Sequence, residues 1–309
     1  MKAKEFTLNS EDNTGIHIYE WLPDNKDDIK AVVQIAHGMA EQAGRYGHFA
    51  EFLCNNGFAV YANDHRGHGK TAGDLRNVGY IAKKQGWDKL VGDIELISND
   101  ILKKHAEKPL FLMGHSMGSF AVRTCLITKE IPVSGAIISG TADDPGLLGV
   151  VGKILTRFMM IFYAGNHPSP LLDNMSFGAF NKPFQPNRTK FDWLSRDNEQ
   201  VDKYVQDPYC GGVFSLKFFN DMLGGLLFAS KVENMMKMNH DLPLLMFSGD
   251  QDPVGGQGKG VKAVYHKFKK AGMKDITFKL FEGGRHEMIN ETNNEEVYDL
   301  VVDWLKKQL

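Results

Sequence analysis

The chain predicts an α/β fold: a mostly parallel central sheet flanked by helices, with a helical cap inserted near the middle. Three observations carry this. Short apolar runs at 31–36, 58–63, 110–113, 133–139, 244–248 and 277–281 read as strands covered on both faces. Amphipathic helical patterns at 46–55, 87–105, 119–128, 259–271 and 295–307 alternate with them, as in a parallel, doubly covered sheet. From 143 to 239 the alternation stops, over a length that no plain loop sustains. The expected division is therefore a core of residues 1–142 and 240–309, with 143–239 inserted as a cap. A length of 309 residues suits one domain with an insertion.

In chain order, 4–9 and 16–22 read as two antiparallel strands. The run 31–36 then ends in the turn His37-Gly38-Met39-Ala40-Glu41. The run 110–113 leads into Gly114-His115-Ser116-Met117-Gly118, and a helical pattern follows from Ser119. A strand, a sharp turn carrying Ser and then a helix is the context of a nucleophile elbow. The Ser sits in a strained backbone conformation, and Gly two residues to either side leaves room where a Cβ would collide. Further on, the strand run 244–248 ends in Gly249-Asp250-Gln251-Asp252-Pro253. The run 277–281 ends in Glu282-Gly283-Gly284-Arg285-His286-Glu287. An acid and a His thus each follow the C-terminal end of a strand, where open α/β sheets bind ligands.

The chain order Ser, acid, His is the one an elbow of this kind requires. Ser116 needs a base, and His286 titrates near neutrality. The acid holds the imidazole tautomer. Asp252 is favoured over Asp250, because Pro253 drives the residue before it out of the α region, which leaves Asp250 to cap the turn. Backbone N–H groups of Met117, the residue after the nucleophile, and of Met39, after the 31–36 strand, are the expected oxyanion donors.

These motifs resemble the α/β-hydrolase family of monoacylglycerol lipases and lysophospholipases. The resemblance rests on His37-Gly38-Met39-Ala40-Glu41 with Gly44-Arg45-Tyr46, on Asp64-His65-Arg66-Gly67-His68-Gly69, on the Ser116 pentapeptide, on the loop carrying Asp252 and on Gly284-Arg285-His286-Glu287. It covers residues 5–142 and 240–309, and the family's acid falls on Asp252. Met39 stands where relatives often carry a small residue, so the pocket is expected to be narrower there. The resemblance implies a serine hydrolase acting through an acyl-enzyme on carboxylic esters of single-chain lipids, with monoacylglycerol first. Lysophospholipase, short-chain or aryl carboxylesterase and serine aminopeptidase share the motifs. The aminopeptidase reading would need cap carboxylates for an ammonium group, and Glu199 and Asp202 are the candidates.

The remaining features mostly exclude. A net charge of −2 gives no bulk attraction to nucleic acid. No cofactor is expected. Gly69-Lys70-Thr71 lacks the leading Gly of a phosphate loop, since position 64 is Asp. His286-Glu287 lacks a second His at position 290, which is Asn, and His65 and His68 have no further ligand pair, so no metal is expected. Cys54, Cys125 and Cys210 are widely spaced and read as reduced thiols, and the N-terminus shows no apolar signal segment, which predicts a cytoplasmic protein. The cap is rich in Met and Phe, read either as acyl-chain contacts or as ordinary minicore. Its stretch 146–165 is apolar apart from Lys153 and Arg157, and reads as a helix that covers the pocket or touches a membrane surface peripherally.

Overall fold

The computed structural model describes residues 1–144 and 146–309. An antiparallel pair, β1 (Lys2–Asn9) and β2 (Gly15–Leu22), opens the chain. The alternating part follows as β3 (Ala31–Ala36), α1 (Gly47–Asn55), β4 (Phe58–Asn63), α2 (Gly86–Lys104), β5 (Leu110–His115), α3 (Met117–Thr128) and β6 (Gly135–Ser139). The inserted segment carries α4 (Gly146–Phe162), α5 (Pro170–Phe177), α6 (Asn198–Gln206), α7 (Leu216–Ala229) and α8 (Val232–Met235). The chain closes with β7 (Leu244–Gly249), α9 (Lys259–Ala271), β8 (Ile276–Phe281) and α10 (Asn294–Lys307). The eight strands form one sheet in the order β1-β2-β4-β3-β5-β6-β7-β8, parallel from β4 to β8.

Alternate residues of the central strands feed two core layers. Phe111, Met113, Ile137, Leu245 and Phe247 pack under α1 and α10, while Leu112, Ala136, Ile138, Leu244 and Met246 pack under α2, α3 and α9. Every residue of β3 to β7 is buried, as expected of strands covered on both faces. The expectation fails for 277–281. β8 is the sheet edge, its residues up to Leu280 are only partly covered, and Lys279 is exposed, which protects an edge from further pairing.

The inserted segment is rooted in that core. Phe214, Phe218, Phe219 and Met222 belong to the same apolar cluster as α2 and α3. Helix α7 crosses Trp87 so closely that a Cβ on Gly225 would stand 2.0 Å from the indole Cε2. Helix α4 lies on α7 through a stripe of small residues, Gly149, Gly152 and Thr156, which are its buried positions. Its large apolar side chains point outward: Leu147, Leu148, Ile154, Phe158, Ile161 and Phe162 are each more than half exposed. Among the described residues no helix is long and apolar enough to cross a membrane. The three cysteines are unbridged, and Cys125 is a core residue of α3.

The Gly225 contact makes a stability prediction. Gly225→Val must displace α7 from Trp87 and should cost about 1–3 kcal/mol, the usual range for overpacking. Urea denaturation would read this, and an unchanged midpoint would mean that the helix seats elsewhere.

Candidate active site

Strand β5 runs straight into Ser116, which stands at φ 50° and ψ −120°. For a residue with a Cβ this is a strained state. Its N–H donates to the Ser139 carbonyl at 3.0 Å. The flanking glycines make the turn feasible. A Cβ on Gly114 would lie 2.4 Å from the Gly118 carbonyl oxygen, and one on Gly118 would lie 2.0 Å from that of Ala36. Helix α3 begins at Met117, so its N-terminal end points at the turn and favours negative charge there. Among the described residues, neither the Met117 nor the Met39 N–H has a protein acceptor. The loop bearing Met39 is braced on both sides. Gly38 N–H donates to Glu41 at 2.5 Å, and the Ala40 carbonyl accepts from Tyr204 Oη at 2.8 Å and from Gly211 N at 2.9 Å.

His286 Nδ1 faces both oxygens of Asp252 at 3.0 Å. Asp252 is fully buried and also accepts from Ser248 Oγ at 2.9 Å and from Val254 N at 2.9 Å. Asp250 does something else: it accepts the Gly283 N–H at 2.8 Å, tying the acid turn to the turn before His286. The two turns touch backbone to backbone, since a Cβ on Gly249 would lie 2.0 Å from the Gly284 carbonyl oxygen. Burial pulls the His286 pKa down, but the Asp252 carboxylate more than offsets it, and the imidazole ends above its ordinary 6.5. Trp193, from the inserted segment, covers the ring at 5.2 Å between centroids. His115 lies at 4.7 Å on another side, held neutral by burial and by its histidine neighbour, which push its pKa down to about 3.

Around this centre the structure brings together groups to which the sequence motifs gave no individual role. Arg45 bridges Glu41 (2.8 Å) and Glu287 (2.7 and 2.6 Å), and it stacks on Tyr204 at 4.9 Å. It thereby joins the Met39 loop to the His286 loop, 242 positions apart. Burial raises the Glu41 pKa despite Arg45, whereas the paired Arg45 holds Glu287 low against its own burial. Glu41 and Arg45 sit in quoted motifs and at i,i+4 spacing, but nothing in the sequence pairs them with Glu287. His37, His65 and His68 form a buried ring cluster. His37 Nδ1 donates to the Gly38 carbonyl at 2.7 Å and Nε2 accepts from His65 N at 3.0 Å, which fixes a neutral tautomer. Among the described residues no group of side chains could hold a metal ion.

Ser116 and His286 open into one cavity of about 710 Å³. The cap aromatics divide here. Phe177, Phe191 and Trp193 line the cavity beside Met39, Leu194 and Val213; Phe214, Phe218 and Phe219 are core, and Phe158 and Phe162 face solvent. Polar lining comes from Asn174, Asn181, Asn187 and Thr189, with Asp173, and Lys190 is the one Lys or Arg among the described lining residues. Glu199 and Asp202 do not line it; Glu199 is exposed and Asp202 pairs with Arg188 at 2.5 Å.

The chain is similar to known proteins along most of its length. Residues 27–293 match a family model described as serine aminopeptidase, S33. The chain is 29% identical to the monoacylglycerol lipase of Mycolicibacterium smegmatis, over 94% of this chain and 92% of that protein. It is 27% identical to the monoglyceride lipase of Rattus norvegicus, over 88% and 79%. A thermostable carboxyl esterase of Bacillus coagulans, solved in complex with glycerol, superposes with a TM-score of 0.91 at 25% identity, over 99% of both chains.

The buried histidines set a pH dependence of stability. Burial holds His37 well below its ordinary value and pushes His65 to about 3, His68 to about 4 and His115 to about 3. Below pH 6.5 the unfolded chain takes up these protons and the folded chain does not, so stability falls as pH falls, by at most about 1.4 kcal/mol per proton per pH unit. Carboxyls that burial raises, Asp93 to about 6 with Glu41, Asp64 and Asp173 also upward, oppose this. Burial also lowers His48 and His105, which act with the four histidines. His286 acts in the other sense: its raised pKa adds stability below 6.5 that is lost as pH rises through the folded value. The urea midpoint should drop between pH 6.5 and 5.5, and a flat profile would contradict neutral burial of the cluster.

Proposed function

The chain belongs to the serine aminopeptidase S33 family of α/β-hydrolases, and on that premise we propose that it is a serine esterase whose nucleophile is Ser116, base His286 and orienting acid Asp252. It is a hydrolase related to monoglyceride lipases and carboxylesterases. The observation that carries the residue assignment is the strained Ser116 at the start of α3, sharing one cavity with an imidazole whose Nδ1 faces a buried carboxylate.

The steps follow from that arrangement. His286 Nε2 removes the Ser116 hydroxyl proton as Oγ attacks the ester carbonyl. The tetrahedral oxyanion lies against the Met39 and Met117 N–H groups, aided by the positive end of α3. Collapse expels the alcohol with the proton from His286 and leaves an acyl-enzyme. Water activated by the same imidazole then releases the acid.

The substrate we infer is a monoacylglycerol. Ring faces of Phe177, Phe191 and Trp193 suit a single acyl chain, while asparagine amides and Thr189 suit a neutral polyol. A phosphate head group would favour a cluster of cations, and Lys190 stands alone. Residues 143–239 act as the cap that supplies these contacts, with 1–142 and 240–309 as the catalytic core. The outward apolar face of α4 fits a transient contact with a lipid surface, where such a substrate resides.

Ser116→Ala or His286→Ala should lower kcat by about 10⁶. Asp252→Asn should cost roughly 10⁴ through the wrong tautomer, and Asp250→Asn far less; the opposite order would move the acid to Asp250. Fatty-acid release from matched mono- and triacylglycerols should favour the monoester strongly in kcat/KM. Activity confined to lysophospholipids, aryl esters or aminoacyl amides would replace this substrate with that one. Ile154→Glu with Phe158→Glu should reduce sedimentation with lipid vesicles while hydrolysis of a short soluble ester is kept, and unchanged sedimentation would remove α4 from the lipid contact.

A further inference from the structure

Arg123, on the second turn of α3, is fully buried and forms no ion pair among the described residues. Its guanidinium donates to Thr141 Oγ1 at 3.3 Å and to the Ala142 carbonyl at 3.4 Å from one nitrogen, and to the Ala229 carbonyl at 2.8 Å from the other; its Nε has no partner. An unpaired buried cation is expensive, and here burial depresses its pKa only to about 10, so it stays charged at neutral pH. Tethering a cap helix would need only the Ala229 contact. The Thr141 contact leads toward the nucleophile.

Thr141 Oγ1 lies 2.8 Å from Ser119 Oγ, and Ser119 Oγ lies 2.6 Å from the carbonyl oxygen of Ser116. Both hydroxyls are buried, and each has a single proton. A carbonyl can only accept, so the Ser119 proton goes to Ser116. The Thr141 proton must then go to Ser119, and the Thr141 oxygen accepts from Arg123. Proton counting allows one direction: guanidinium to Thr141 to Ser119 to the Ser116 carbonyl. The chain of bonds starts at a full positive charge, and each bond polarises the next.

The end point matters because of peptide planarity. The Ser116 carbonyl and the Met117 N–H belong to one rigid, trans peptide group, so holding the oxygen on one side aims the hydrogen to the other. Ser119 N also donates to this oxygen, at 2.9 Å. We propose that Arg123, Thr141 and Ser119 form a positioning relay that orients and polarises the Ser116–Met117 peptide as an oxyanion donor. The inference rests on the assignment of Met117 made above. It makes Ser119, Thr141 and Arg123 positioning residues for the reaction, none of which touches substrate.

The test uses full-length Ser119→Ala, Thr141→Val and Thr141→Ser proteins. Ser119→Ala removes the bond to the carbonyl; Thr141→Val keeps that bond and cuts only its link to the cation. Deleting a whole oxyanion donor costs about 10²–10³ in kcat, so loss of its support should cost less. We expect a fall in kcat of about tenfold for Ser119→Ala and a smaller one for Thr141→Val, with KM within about twofold. Inhibition by an alkyl boronic acid, which forms a tetrahedral adduct on the nucleophile, should weaken by the same factor as kcat. Thr141→Ser should restore both. The relay is overturned if Ser119→Ala and Thr141→Val keep wild-type kcat, if kcat falls while boronic acid affinity is unchanged, or if Thr141→Ser is as impaired as Thr141→Val, which would mark a packing role. Substantial activity in Ser116→Ala would instead overturn the site assignment itself, a result readable apart from the relay variants.

Discussion

Ser116 at φ 50° holds a backbone state that a side chain with a Cβ adopts only when its surroundings compel it. The compulsion comes from both directions along the chain. Strand β5, hydrogen-bonded between β3 and β6, delivers the residue at a fixed height on the sheet, and α3 departs from it at once. The sharp reversal is possible only because Gly114, Gly118 and the end of β3 approach without side chains between them. Loss of either clearance would relax the turn, and the cavity-lining position of Ser116 and the free N–H of Met117 would go with it.

The second requirement is that loops from distant parts of the sequence converge on that turn. The β7 and β8 loops are locked by the Gly249–Gly284 contact and by Asp250, which leaves Asp252 free to face His286. The Met39 loop is locked to the His286 loop by Arg45 between two buried carboxylates. Buried ion pairs of this kind are poor sources of net stability, since desolvation offsets their attraction. Their value here is geometric: they hold two loops in one relation, as the buried neutral histidines do beneath them.

The inserted segment has two characters. Its base, around α7, shares the main core and cannot move without disturbing Trp87. Its outer helix, α4, inverts the usual amphipathic arrangement, with small residues inward and large apolar ones outward. Small inward residues let α4 lie close on α7, while the outward residues leave an apolar surface of the kind that soluble monomers rarely expose without use. Between base and outer helix, Trp193 reaches back over His286, so the segment covering the cavity also packs against the imidazole.

Much of this was legible in the sequence, because it depends on local chemistry. Strand runs, helical periodicity, the Gly-x-Ser-x-Gly turn and the break in rhythm after 142 each follow from neighbouring residues, and the element boundaries they predict match the structure to within a few positions. The division of the cap aromatics was not legible: Phe177 and Phe214 carry the same side chain, and only the packing decides that one lines the cavity and the other fills the core. The 277–281 run reads as one more covered strand despite Lys279, yet its position at the sheet edge leaves it half covered. Arg45 with Glu287, and Arg123 with Thr141, likewise became pairs only in the folded chain. Periodicity and turn chemistry are short-range and survive in one dimension. Burial, edge position and the partner of a charge are set by contacts between residues tens or hundreds of positions apart, and those exist only once the chain has folded.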